Sequence, residues 1–234
     1  MIICLETSTD LCSVALCNSD GVVALKESTE TKSHAAQLTV FIEGILLDAG
    51  LRAADLEAVA VSKGPGSYTG LRIGVSTAKG IAYAASVPLI GVETTLSMFH
   101  GINAPLRKKY EIDSTSLFVP MIDAKRMEVY FSVLSSDGKK VREITAEVID
   151  ENTFSDIPES VRILIFGTGA AKCRYIIRRG NVAFAEEFRT SAACMYEPAY
   201  KALRDQKFED IAYFEPFYLK DFITSRPKKN ILGR

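Results

Sequence analysis

The chain has 234 residues, 47% of them hydrophobic and 24% charged, with a formal net charge of −1. That composition excludes a disordered or fibrous chain and suits one large or two modest globular domains. The near-zero charge argues against strong nucleic-acid binding by this chain alone, and no apolar run reaches the roughly 20 residues of a membrane span.

The opening MIICLETSTD lacks the basic flank and apolar core of a signal peptide and reads as the first strand. Alternation at Cys12, Val14 and Leu16 predicts a second strand, and Asp20-Gly21 a tight turn into a third. Ser33 is a plausible N-cap for a helix whose apolar positions Leu38, Ile42, Ile45, Leu46 and Ala49 follow helical spacing to Gly50. A strand (Leu56 to Val61), the loop GPGSYTGLRIG, a helix (about Thr69 to Ala85) and a strand (Pro88 to Val92) follow. The order is β-β-β-α-β-α-β. Residues 101–116, charged and broken by Pro105, mark a boundary, so the expected domains are 1–104 and 105–234.

The second half opens like the first. Sliding Glu6 onto Asp123 brings Cys12, Val14 and Leu16 onto Val129, Phe131 and Val133, and the Asp20-Gly21 turn onto Asp137-Gly138. Agreement at every step favours an internal duplication. A strand (Val161 to Phe166), Gly167-Thr168-Gly169, a helix to Arg178, a short strand and a helix from about Ser191 complete it. Two β-β-β-α-β-α lobes, each with a carboxylate ending its first strand, describe an α/β fold of the duplicated ribonuclease H-like (actin-like ATPase, ASKHA) kind. That architecture by itself assigns no activity.

Three features could carry chemistry. The glycine loop fails as a phosphate loop, because Gly64 and Gly70 are followed by Leu71-Arg72 where Lys-Ser/Thr is needed, and it also fails the dinucleotide fingerprint. Its glycines could instead shape a turn and a smooth helix face. Gly70, Gly74, Ala78 and Ala82 recur every four residues, and mid-helix Gly74 and Gly80 each cost up to about 1 kcal/mol relative to alanine. A close contact must compensate, either helix on sheet inside the lobe or an interface with another chain. Val40, Phe41 and Leu47 on the neighbouring helix lie off its core stripe and favour the interface.

The carboxylates are weaker signals. Glu6 precedes Thr7-Ser8-Thr9 without a glycine, and Asp123 precedes Ala124-Lys125-Arg126, where Lys125 could fill a phosphate position. Gly167 and Gly169 sit where this kind of fold contacts an adenosine, though any tight βα turn looks similar. With Glu6, Thr7 and Asp123 they form at most a vestigial nucleotide cleft. His34 and His100 are far apart in sequence, so no HxxxH metal face exists, and neither a metal site nor a catalytic residue is expected. The five cysteines (Cys4, Cys12, Cys17, Cys173, Cys194) contain no CxxC pair and suit a reducing cytoplasm. The last eighteen residues carry Lys220, Arg226, Lys228, Lys229 and Arg234 against Asp221, a solvated tail or an auxiliary polyanion contact.

Taken together, IICLETSTDLCSVAL, KGPGSYTGLRIGVSTAKGIA, VPMIDAKRMEVY and PFYLK resemble the TsaB family, over most of the chain. The resemblance implies a non-catalytic actin-like subunit required for threonylcarbamoyladenosine formation beside the tRNA anticodon. Its implied partners are a TsaD-type catalytic paralogue, which carries the metal-binding histidine pair, and a TsaE-type ATPase. It pairs with itself when alone and meets tRNA only through the complex. The implied interface is the two first-lobe helices, and the residues expected there are His34, Leu38, Phe41, Ile45, Tyr68, Gly70, Arg72, Ile73, Gly74, Thr77, Ala78 and Ile81. No cofactor is expected, with a nucleotide at the subunit interface left open. Glu6 departs from the aspartate common in the family. The rival reading is a stand-alone actin-like ATPase or small-molecule kinase using Glu6 and Asp123; a zinc peptidase lacks its histidines.

Overall fold

A computed structural model describes residues 1–28 and 34–220. The expected cap Ser33 and the basic tail beyond Lys220 lie outside the described residues. The first strands, β1 (Ile2–Glu6), β2 (Cys12–Asn18) and β3 (Gly21–Ser28), form an antiparallel meander. Helix α1 (His34–Asp48), strand β4 (Ala58–Gly64), helix α2 (Tyr68–Ala85) and strand β5 (Leu89–Glu93) then add the parallel half. Strand order is β3-β2-β1-β4-β5. All five residues of β1 are buried because helices cover both sheet faces, which is why IICLE is continuously apolar up to its last position.

Helix α3 (Thr94–His100) and α4 (Ala104–Lys109) lead to the second sheet. This contains β6 (Leu117–Asp123), β7 (Glu128–Leu134), β8 (Lys140–Val148), β9 (Ile163–Phe166) and β10 (Val182–Ala185), with a one-turn helix α5 (Ala170–Cys173) between the last two. Its order, β8-β7-β6-β9-β10, repeats the first sheet strand for strand. The fold is the duplicated ribonuclease H-like one.

The second lobe is an abbreviated copy. No helix stands between β8 and β9; residues 149–162 run as turns. Polar turn formers compete with the helix there: the Asp150 carboxylate accepts from the Asn152 N–H (2.9 Å) and the Thr153 hydroxyl (3.0 Å), and Pro158 follows. Buried Ile149, Phe154 and Ile157 cover the sheet in the helix's place. The helix expected to reach Arg178 also stops short. After Cys173, whose carbonyl accepts from both Ile176 and Ile177, the chain tightens into turns.

Packing also crosses the expected 104/105 boundary, which falls inside α4. Met98 and Phe99 of α3 pack with Phe118, Ile122 and Leu134 of the second sheet. A 3-10 turn (Ala192–Met195) and α6 (Tyr196–Arg204) return to the first sheet, where Met195 and Ala199 cover Ile2, Cys4, Cys17 and Ile90. The first sheet has an apolar face on each side, and α1 and α2 cover only one of them. The other must be closed by chain from elsewhere, so 105–234 is not a self-contained packing unit. Among the described residues no helix is long and apolar enough to cross a membrane.

Candidate functional site

Helix α2 starts where the Ser67 hydroxyl accepts from the Gly70 N–H (3.3 Å), and ends at Ser86 in the left-handed region (φ 55°). Its glycine face points inward. A Cβ on Gly70 would lie 2.0 Å from the Thr7 carbonyl oxygen, and one on Gly74 would lie 2.2 Å from Thr7 Oγ1. Gly66 is equally tight, 2.4 Å from the Ser8 carbonyl. Ala78 and Ala82 are fully buried in the same core. The compensating contact is therefore helix on sheet: α2 leans on the Glu6-Thr7-Ser8 turn at the end of β1.

This corrects part of the expected interface. Gly70, Gly74 and Ala78 on α2, and Leu38 and Ile45 on α1, are core residues with no surface to offer. Their helical spacing was legible; which way the stripe faced was not. His34, Phe41, Tyr68, Ile73, Thr77 and Ile81 are half-buried at the surface, and Arg72 is exposed. His34 is engaged within the lobe, its Nε2 lying 3.0 Å from the Thr9 carbonyl oxygen.

The outer faces of the two helices present something else. Val40 (61% exposed) and Leu47 (77%) stand out from α1, and Tyr83 (79%) from α2. Gly80 is exposed, and among the described residues a Cβ there would meet nothing within 4 Å. Ser76 and Ala84 are exposed on the same helix. Exposed large apolar side chains on both helices, with a bulk-free strip along α2, suit a close helical contact. Of these, the sequence signalled Val40 and Leu47 by their position off the core stripe and Gly80 by its helix cost; Tyr83 carried no signal.

The two strand-end carboxylates are withheld in different ways. Glu6 is fully buried; its Oε1 accepts from the Ser8 N–H (2.6 Å) and the Ser62 hydroxyl (2.9 Å), while Oε2 has no partner among the described residues. Burial raises its pKa, against the lowering effect of those hydrogen bonds. Asp123 is half exposed and ion-paired to the Lys172 ammonium, which also donates to the carbonyls of Arg126 (2.9 Å) and Glu128 (2.6 Å). Lys172, not Lys125, fills the position: Lys125 is exposed, and its backbone N–H donates to the Asp123 carboxylate (2.8 Å). Spacing could not reveal Lys172, which lies 49 positions along the chain.

A cleft of about 700 Å³ separates the lobes, lined by Ser8, Thr9, Tyr68, Lys125, Tyr130 and Tyr218 among others. Thr7 is fully buried, and its hydroxyl has no partner among the described residues. Gly167 (φ 102°) and Gly169 are explained by packing: a Cβ on the first would lie 2.2 Å from Met98 Cε, and on the second 2.9 Å from Val129. Of the expected nucleotide residues, Asp123 alone lines this cleft; Gly167 borders a neighbouring cavity of about 600 Å³. Among the described residues no group of three His, Cys, Asp or Glu side chains could hold a metal ion.

A model of the family described as "TsaD: tRNA N6-adenosine threonylcarbamoyltransferase" matches residues 26–222. The chain belongs to this family. Curated relatives are named tRNA threonylcarbamoyladenosine biosynthesis protein TsaB, in keeping with the resemblance read from the sequence. The protein from Escherichia coli is 34% identical over 136 residues, 58% of this chain and 55% of its own length. The one from Haemophilus influenzae is 28% identical over 233 residues, 95% of this chain and 94% of its own. Thus the match spans about half of the first relative and nearly all of the second. Among solved structures, YeaZ from Pseudomonas aeruginosa superposes with a TM-score of 0.75 at 22% identity, covering 93% of this chain and 99% of that one. That likeness establishes the fold of this family member.

Proposed function

We propose that this chain is a non-catalytic subunit in the formation of threonylcarbamoyladenosine on tRNA, acting by docking a TsaD-type catalytic paralogue. The observation that carries the reading is the outer faces of α1 and α2, where Val40, Leu47 and Tyr83 are exposed and Gly80 offers no bulk. The names of the curated relatives support the pathway. The state of the two carboxylates supports the non-catalytic role: Glu6 is buried and Asp123 is held by a lysine, so neither is free to take a metal-bound phosphate. Contact of about 800 Å² on each partner would suffice for a stable complex. A TsaE-type ATPase joins that complex, tRNA is reached through it, and the chain pairs with itself when the paralogue is absent. All of this takes place in the cytoplasm.

The test is co-purification and sedimentation of this chain with its TsaD-type paralogue, beside an assay of ATP turnover by the pure chain. A stable heterodimer, lost in Leu47→Glu, and background turnover support the proposal. Independent migration of the two chains would refute it. Turnover that disappears in Glu6→Ala would favour the ATPase or kinase reading.

A further inference from the structure

The segment from Glu209 to Lys220 forms no helix or named strand, yet it contacts β4, β5 and α2 of the first lobe. Glu209 forms an antiparallel bridge with Leu89, donating its N–H to the Leu89 carbonyl (2.8 Å), so it covers the edge strand β5. Its carboxylate also pairs with Lys63 at 3.2 Å. Phe214 is buried in the α1–α2 core, and Lys79 on α2 donates to the carbonyls of Ala212 (3.2 Å) and Phe214 (3.0 Å). The Phe217 N–H then donates to the Lys63 carbonyl (2.6 Å). A Cβ on Gly64 would lie 2.5 Å from the Phe217 carbonyl oxygen, and Gly64 has φ 113°. The first glycine of the loop is thus explained by this segment, both by its backbone conformation and by the close approach of a second chain stretch.

The next residue, Tyr218, reaches α2 at Tyr68 and at Arg72, which shares the helical spacing of exposed Ser76, Gly80 and Ala84. The Tyr218 ring lies 4.9 Å from that of Tyr68, and its hydroxyl accepts from Arg72 Nε (3.2 Å). Arg72 in turn lies over the Tyr68 ring at 4.3 Å from its centroid. Two residues on, Lys220 forms an ion pair with Glu128 at the start of β7, in the other lobe. Among the described residues no carboxylate forms an ion pair with Arg72, and an exposed arginine so placed would ordinarily sample many rotamers. Here stacking on Tyr68 of its own helix, and one hydrogen bond from a strap 146 positions away in sequence, favour a single orientation.

We infer that residues 209–220 are a strap whose Tyr218 is a positioning residue, holding Tyr68 and Arg72 in the geometry that the partner subunit meets. This rests on the proposed docking role, and its physical effect is preorganisation. The ordering of a long side chain is completed before the partner arrives and does not oppose binding. Loss of the hold should weaken pairing roughly three- to tenfold without removing any residue that the partner touches.

Two measurements test it. In the free chain, Tyr218→Ala should accelerate amide hydrogen exchange over residues 66–72 while leaving residues 78–85 at the wild-type rate. Tyr218→Phe, which keeps the ring, should do so less. With the purified TsaD-type paralogue, Arg72→Ala and Tyr218→Ala should each weaken affinity, and the double variant by less than the sum of the two, because Tyr218 acts in part through Arg72. Unchanged exchange, or losses that add in the double variant, would overturn the positioning role. If wild-type protein and paralogue do not associate at all, the docking reading fails, and with it the role toward a partner; the exchange data would then report only whether the strap orders the loop.

Discussion

The two faces of α2 are made from similar residues and do opposite things. The inner face has Gly70, Gly74, Ala78 and Ala82, and the outer one has Ser76, Gly80 and Ala84. The inner glycines are irreplaceable because the Thr7 backbone and hydroxyl occupy the space a side chain would need. Among the described residues nothing lies beside Gly80, so no contact there offsets its helix cost of up to about 1 kcal/mol. Smallness on a helix therefore has two meanings, and only the neighbours distinguish them: one face is already used, the other is offered.

The sharpest way to break the comparison is on the inner face. Gly74→Leu should destabilise the free chain by at least about 3 kcal/mol, the upper end of overpacking, and thermal unfolding followed by circular dichroism would read it. A wild-type melting temperature would mean that the stripe does not bear on the Thr7 turn. On the outer face, Leu47→Glu or Tyr83→Glu should leave the melting temperature nearly unchanged, within about 0.5 kcal/mol, yet weaken pairing with the paralogue by tenfold or more. Sedimentation of the mixed proteins checks it, and intact pairing would remove this face from the interface.

Gly80→Ala sharpens the contrast from the other side. With nothing near the new methyl, the free chain should gain about 0.5–1 kcal/mol, a rise of roughly 1–4 °C in melting temperature. A loss of stability would show that Gly80 has an internal role after all. The same substitution should weaken pairing if the partner's backbone rests there.

The smallest effect concerns the turn on which the inner face rests. Burial raises the Glu6 pKa above its ordinary value near 4.5. Between that value and the raised one, the folded chain holds a proton that the unfolded chain has released, so this group's contribution to stability falls as pH rises through the window. Glu6→Gln should therefore be the more stable protein at neutral pH, with the difference fading below the ordinary carboxylate range. Melting curves across pH would show it; a difference that grows toward acid would reverse the assignment.

Much of the fold was legible because it follows from local periodicity. Alternation located β2 and β7, the two Asp-Gly turns located the hairpins, and the repeat from Glu6 to Asp123 implied two sheets of one topology, as observed. The missing helix between β8 and β9 was less legible, since Ile149, Phe154 and Ile157 are too few to distinguish a helix from packed turns. Of the site, the two helices and the off-stripe residues Val40 and Leu47 could be read, as could the absence of a phosphate-loop lysine after Gly70. Lys172 beside Asp123 and Tyr218 beside Arg72 could not, because contacts between residues 49 and 146 positions apart leave no periodic trace.

By itself, then, the sequence determined the strands, the duplication and the fact that α2 must meet something at close range, because each depends on neighbours within one or two turns of chain. Tertiary structure alone decided what α2 meets, which lobe α3 and α6 serve, and which cation neutralises Asp123. Those outcomes depend on which distant surfaces compete to cover an apolar face or a charge, and a one-dimensional pattern records the need for such a cover without recording its source.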